Sequence, residues 1–303
     1  MTIAEASLPS PRDTKPHLPL VRIALRQFWP LAVLFLLFAV GMAALLVHLH
    51  QDWDDAVALR NRIGSTDYHF ALHAGGAHDV TTRLLDAGKR LALLPALYAA
   101  LVAGLLTGRE WDTRKIVFAL GQSVTPVRWF VVRWTVLAAL LAVPLAPVVA
   151  LYRLNVTHAV DLDLLTYGIE RHTAYSVVGP VTVAYVLLGV AAGALAGTVL
   201  RNFLAAAVAG PVLTWLLVAV LVRSRAALLL DFPAWPKVDD FHSGGVLGLQ
   251  FYDVLPVDSF LVNSLGKGDY WPYQLAESAL AVGVAVLLAL AAFRVLRHRI
   301  ATR

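Results

Sequence analysis

The chain has 303 residues, 59% of them hydrophobic and 15% charged, and a mean hydropathy of +0.69. A soluble domain carries about a quarter charged residues, so this balance excludes a soluble enzyme of ordinary build. Lys and Arg number 25 against 20 Asp and Glu, and the chain holds no cysteine, which excludes disulfides, thiolate metal sites and lipoprotein-type attachment.

A helix needs about 20 apolar residues to cross roughly 30 Å of hydrocarbon. Residues 1–27 carry prolines and several charges and are read as a tail with an interfacial entry; the apolar run behind them is too long for a signal-peptide core and lacks a cleavage pattern, so the first span is expected to be retained. The spans fall at 28–49, 91–107, 127–152, 175–200, 202–222 and 273–294. The second is short, the third is expected to bend at Pro144 and Pro147, and the sixth contains an acid, Glu277. All six are expected to be helices, because an open sheet in lipid would leave backbone groups unpaired. The fold class is therefore an all-α integral membrane protein, one domain over residues 1–303, with segments 50–90 and 223–271 outside the membrane on the far side.

If the spans alternate, one side collects fourteen basic residues against four acids, among them Arg22, Arg26, Arg109, Arg114, Lys115, Arg128, Arg133, Arg201, Arg294, Arg297 and Arg299. The other side holds eleven basic and fifteen acidic residues. The positive-inside rule then places both termini in the cytoplasm. The net charge of +5 and pI near 9.6 come from basic residues at helix ends, where anionic lipid headgroups are the partner; no nucleic-acid module is visible.

The outer segment 50–90 contains His69, His73 and His78 with Asp79. A pair at i and i+4 on a helix can share a metal, but Gly75 and Gly76 interrupt before His78, and no metal site is expected. Segment 223–271 breaks into apolar runs of about ten residues, too short to span, which read as interfacial or re-entrant pieces ending at Trp271 and Tyr273.

Between the second and third spans, Arg109, Glu110, Asp112, Arg114 and Lys115 gather charge around Trp111, and Thr113, Val117, Leu120 and Val124 recur at helical spacing toward Gln122. Either a short interfacial helix with an exposed charged start or a solvated loop fits that pattern. In the fourth span, Gly189, Gly193 and Gly197 form a small-residue stripe, suited to close packing within the chain or to a subunit contact. Glu277 lies a turn from Tyr273, open to an anchoring role or to a place on a substrate path.

Three stretches carry a family resemblance. Gly108-Arg109-Glu110 through Gln122-Ser123-Val124-Thr125 to Arg128-Trp129 resembles the coupling-helix region of permease subunits of type-2 ABC exporters, particularly actinobacterial ones. Val181-Thr182-Val183-Ala184-Tyr185 through Gly193-Ala194-Leu195-Ala196-Gly197 to Arg201 is similar to the fourth helix of that family, and Tyr270-Trp271-Pro272-Tyr273-Gln274 with Glu277 to the entry of the sixth. One departure is Asp112-Thr113, where the family often has Gly-Thr.

The resemblance implies a six-helix permease in a cell membrane, bacterial and cytoplasmic. It would pair with a second copy or a paralogue and with two copies of an ABC ATPase subunit, which would hold ATP and Mg. This chain would carry no cofactor: the phosphate-cradling pattern of glycines with Lys and Ser or Thr is absent, and Gly266-Lys267-Gly268 fails it. Arg109, Glu110, Trp111, Asp112, Arg114, Lys115 and Gln122 would couple to the ATPase, with Arg22 and Arg26 as a second contact. An intramembrane hydrolase lacks a nucleophile–base pair in the spans. An ion-coupled carrier would be expected to show midplane ionisable residues and an internal repeat, neither of which is evident. A non-transporting scaffold is separated from these by whether an ATPase associates.

Overall fold

A computed structural model describes residues 18–63, 77–113, 125–161, 179–230 and 270–301. These form six α-helices and the turns at their ends: α1 Leu18–Ile63, α2 Ala77–Asp112, α3 Pro126–Asp161, α4 Pro180–Leu200, α5 Phe203–Leu230 and α6 Tyr270–Ala301. No strand occurs among the described residues. Each helix contains a stretch long and apolar enough to cross a membrane.

Several helices outrun their apolar segments. The 46 residues of α1 correspond to about 69 Å, twice the hydrocarbon thickness. The amphipathic entry carrying Arg22 and Arg26 and the acidic stretch Asp52, Asp54 and Asp55 are thus turns of α1 itself. Residues 50–63 and 77–90, expected in an outer segment, continue α1 and α2, and residues 223–230 continue α5. Pro144 and Pro147 lie within an uninterrupted α3, as Pro30, Pro95 and Pro211 do within α1, α2 and α5.

Contacts between helices fix their directions. At one end Gln27 of α1, Glu110 of α2 and Arg133 of α3 meet; at the other, Asn155 Nδ2 of α3 donates to the Leu46 carbonyl of α1 at 3.2 Å. So α1 and α3 run parallel, with α2 against them. Ala96, Ala100 and Thr107 of α2 meet Gly189, Gly193 and Gly197 of α4 in the same order, so those two are parallel, while Phe203, Ala206 and Gly210 of α5 meet α2 in reverse. Tyr185 bonds Glu277 at one end of α4 and α6, and Arg299 bonds Thr198 and Val199 at the other, so α6 follows α4. The helices alternate.

The bundle is built around α2 and α4. In the apolar windows of α4 and α2, 72% and 61% of residues are buried, against 22% in α1 and α6 and 28% in α3 and α5. The outward faces of those four are apolar, as in α5, where Leu204, Val208, Val212, Leu216 and Val220 lie exposed at four-residue intervals. One core joins α1, α2 and α3 around Trp53, Leu84, Leu91, Leu145 and Tyr152; a second joins α4, α5 and α6 around Tyr185, Leu188, Val218 and Ala281.

The glycine stripe makes the centre possible. A Cβ at Gly189 would fall on the Ala96 carbonyl oxygen of α2, and one at Gly193 on that of Ala100. Helix backbones in contact leave room only for hydrogen there. The stripe packs within the chain, its face covered by α2.

Candidate functional site: the polar hub at the end of α2

The last turn of α2 touches every other helix of the bundle or its flanking turn. Glu110 is 4% exposed and ion-paired with Arg133 of α3, and Gln27 Nε2 of α1 lies 3.5 Å from its Oε1. The guanidinium of Arg133 stacks over Trp129 at 4.6 Å and Phe28 at 5.2 Å from the ring centroids. A cation between two aromatic faces and a carboxylate is compensated on all sides, which is the condition for burying an ion pair at acceptable cost.

Trp111 is buried with Phe130 of α3 and Leu296 of α6, and the Arg201 guanidinium lies 5.2 Å from its ring. Asp112 is exposed, yet its Oδ2 accepts the Phe203 N–H at 3.1 Å, occupying one of the orphan donors of the first turn of α5. The turn itself has two residues. Arg201 closes α4 in the left-handed region at φ 57° and donates its N–H to the Gly197 carbonyl at 3.2 Å, while Asn202 Oδ1 accepts from Ala205 N–H at 3.0 Å. Arg299 of α6 donates to the free carbonyls of Thr198 and Val199 at 2.6 and 3.1 Å.

The residues that sequence alone marks for contact with another chain therefore divide. Glu110 and Trp111 face into the bundle and are buried: the carboxylate answers Arg133 and the indole packs with Phe130 of α3 and Leu296 of α6. Arg109 and Asp112 are exposed, and so are Arg22 and Arg26 on the first turns of α1. Arg114, Lys115 and Gln122, with the expected coupling helix over 114–124, lie outside the described residues, as does the expected re-entrant segment before residue 270.

Sequence reasoning missed Gln27, Arg133, Asn202 and Arg299 as partners. Arg133 carried a usable signal: a cation two turns inside a spanning helix demands a counter-charge, and Glu110 is the acid at the matching depth of the neighbouring helix.

Near the opposite end, Glu277 of α6 is 5% exposed and accepts a hydrogen bond from the Tyr185 hydroxyl of α4, with Gln274 and Thr182 buried nearby in sequence on the same two helices. The acid thus ties α6 to the central helix. Among the described residues, no three His, Asp or Glu side chains gather as a metal site. His69 and His73, and the side chain of His78, lie outside the described residues.

Six alternating spans, apolar outward faces and a polar hub at one end define a multi-pass helical membrane protein. Residues 31–226 match the family described as ABC-2 membrane transporter related. The match covers well over half of the chain, and the protein belongs to that family, which makes it a transporter subunit, a permease and not an enzyme. No curated protein and no solved structure matches the chain.

Proposed function

We propose that this chain is the permease subunit of an ATP-driven exporter, moving a hydrophobic or amphipathic compound such as a drug-like metabolite, peptide or lipid outward across a cytoplasmic membrane. It works with two copies of an ABC ATPase subunit, which bind ATP and Mg, and with a second copy of itself or a paralogue. The observation that carries this reading is the hub: the segment leading into residues 114–124 is joined to α1, α3, α5 and α6 by an ion pair, an aromatic cluster and a helix cap.

A push on the 114–124 segment therefore reaches all these helices at once, without a flexible joint in the last turn of α2. In this reading Arg109, Asp112, Arg114, Lys115 and Gln122 couple to the ATPase, with Arg22 and Arg26 as a second contact; Glu110 and Trp111 serve as the anchor in the last turn of α2. Gly189, Gly193 and Gly197 hold α4 to α2 and leave pairing with the second permease to other faces.

Copurification of the native complex from membranes, followed by ATPase assays with candidate compounds, tests the reading. An ATPase subunit is expected in the complex, with its turnover stimulated by the transported compound. The Arg114→Ala/Lys115→Ala variant should lose most of that association while keeping the thermal midpoint of the permease. Transport that persists in the absence of any ATPase would assign the chain to ion-coupled carriers instead, and neither ATPase nor transport would leave a scaffold.

A further inference from the structure

Two histidines far from the hub face one another across a helix pair. His50 of α1 and His158 of α3 have ring centroids 5.0 Å apart, with their planes inclined by 51°. His50 is exposed and His158 half-buried. Along α1, His50 lies 23 residues from Gln27, about 35 Å, so the pair sits a full bilayer thickness from the hub, at the water-facing end of α1 and α3.

The position is built. One turn back on each helix, Asn155 is fully buried and its Nδ2 donates to the Leu46 carbonyl at 3.2 Å and to the Leu151 carbonyl at 3.0 Å. That cross-link fixes the register of α3 on α1. Trp53, Leu49, Tyr152 and Val156, all 1% exposed or less, fill the interface around it. Both histidines are thus presented by rigid elements, at the rim where this packed interface meets water.

We propose that His50 and His158 form a site for a divalent transition-metal ion of the zinc class, bridging α1 and α3. The separation of the rings is the one a shared metal requires. An imidazole nitrogen binds zinc at about 2.0–2.1 Å and lies about 1.1 Å from its ring centroid, so two imidazoles on a tetrahedral ion have centroids roughly 5 Å apart. The observed separation of 5.0 Å matches that distance. Water completes the coordination. With two protein ligands the site is weaker than a structural zinc site and exchanges with the medium, as suits a sensor of external metal that clamps α1 to α3. The neighbouring His48 is engaged elsewhere: its Nδ1 is 3.3 Å from Asp52, which Arg83 also approaches at 4.0 Å.

The test is metal binding by the full chain in lipid nanodiscs, read as the zinc-induced rise in thermal midpoint and by titration calorimetry, and it does not depend on transport. The chain has ten histidines, so the comparison is between variants. His50→Gln and His158→Gln should each weaken the tightest zinc equivalent at least tenfold and abolish its thermal shift, and His48→Gln should leave both unchanged. His50→Cys/His158→Cys, in a chain otherwise free of cysteine, should restore the shift and give a cadmium–thiolate absorption band. Equal zinc shifts in wild type and both single variants, or loss of the shift in His48→Gln, would overturn the proposal.

Discussion

Arg133 is largely buried at the hub, and its guanidinium is answered by the Glu110 carboxylate and by two aromatic faces. Removing one member of such a buried pair leaves the other uncompensated, a loss of about 3 to 5 kcal/mol, whereas replacing both with apolar residues of similar volume is close to neutral. Glu110→Ala is therefore expected to lower the thermal midpoint of the purified permease sharply, and Glu110→Leu/Arg133→Met to recover most of it. A double variant as unstable as Glu110→Ala would show that the pair is not the source of the effect. Phe203 gives a second case at this scale. Asp112 caps its N–H from a neighbouring helix, so Asp112→Ala should cost about 1 kcal/mol, and Asp112→Asn, which keeps an acceptor, less. The sequence showed these residues to be charged and clustered; it did not show that two of them point inward, because helix phase relative to neighbours is set by packing that no local spacing encodes.

At the scale of elements, the contact between α2 and α4 rests on missing side chains. Gly193→Ala places a methyl group on the Ala100 carbonyl and against the backbone of Gly104, so the helices must part, at about 1–3 kcal/mol. Gly283 of α6 has nothing within 4 Å of a built Cβ, and Gly283→Ala should stabilise the helix by about 0.5–1 kcal/mol. Thermal midpoints that shift in the same direction for both variants would refute the distinction. The existence of all six spans was legible because hydrocarbon thickness imposes a length and excludes charge. Their ends were less so: α1 and α2 continue through polar residues at 50–63 and 77–90, where helical hydrogen bonding persists after hydropathy stops reporting on it. The prolines of α3 sit inside one continuous helix, so neither of them ends it. The small-residue stripe was legible as a packing surface, but its partner was not, since Gly189, Gly193 and Gly197 specify close approach and not by what.

For the whole molecule, the alternation of helices brings Arg22, Arg26, Arg109, Arg133, Arg201 and Arg299 to one end, and Asp52, Asp54, Asp79 and Arg83 to the other. The absence of native cysteine makes this directly measurable. Single-cysteine variants Arg109→Cys and Asp54→Cys, both at exposed positions, should react with a membrane-impermeant maleimide from opposite faces of sealed vesicles, Asp54→Cys from the outside of intact cells. Labelling of both from the same face would reject the alternating topology. Charge asymmetry was legible here because it is a sum over many residues, robust to error in any one; the hub and the His50–His158 pair were not, because each depends on single side chains from helices far apart in sequence.

The two-residue turn at Arg201-Asn202 bears on how the protein is made. With Arg201 in its left-handed cap and Asn202 capping α5, no slack chain separates the two spans, and the end of one fixes the start of the other. They are held as an antiparallel hairpin, with the arginine at the turn. The order in which the chain emerges then gives the nascent α4–α5 hairpin α2 as a waiting partner, already lined with the small residues that receive it.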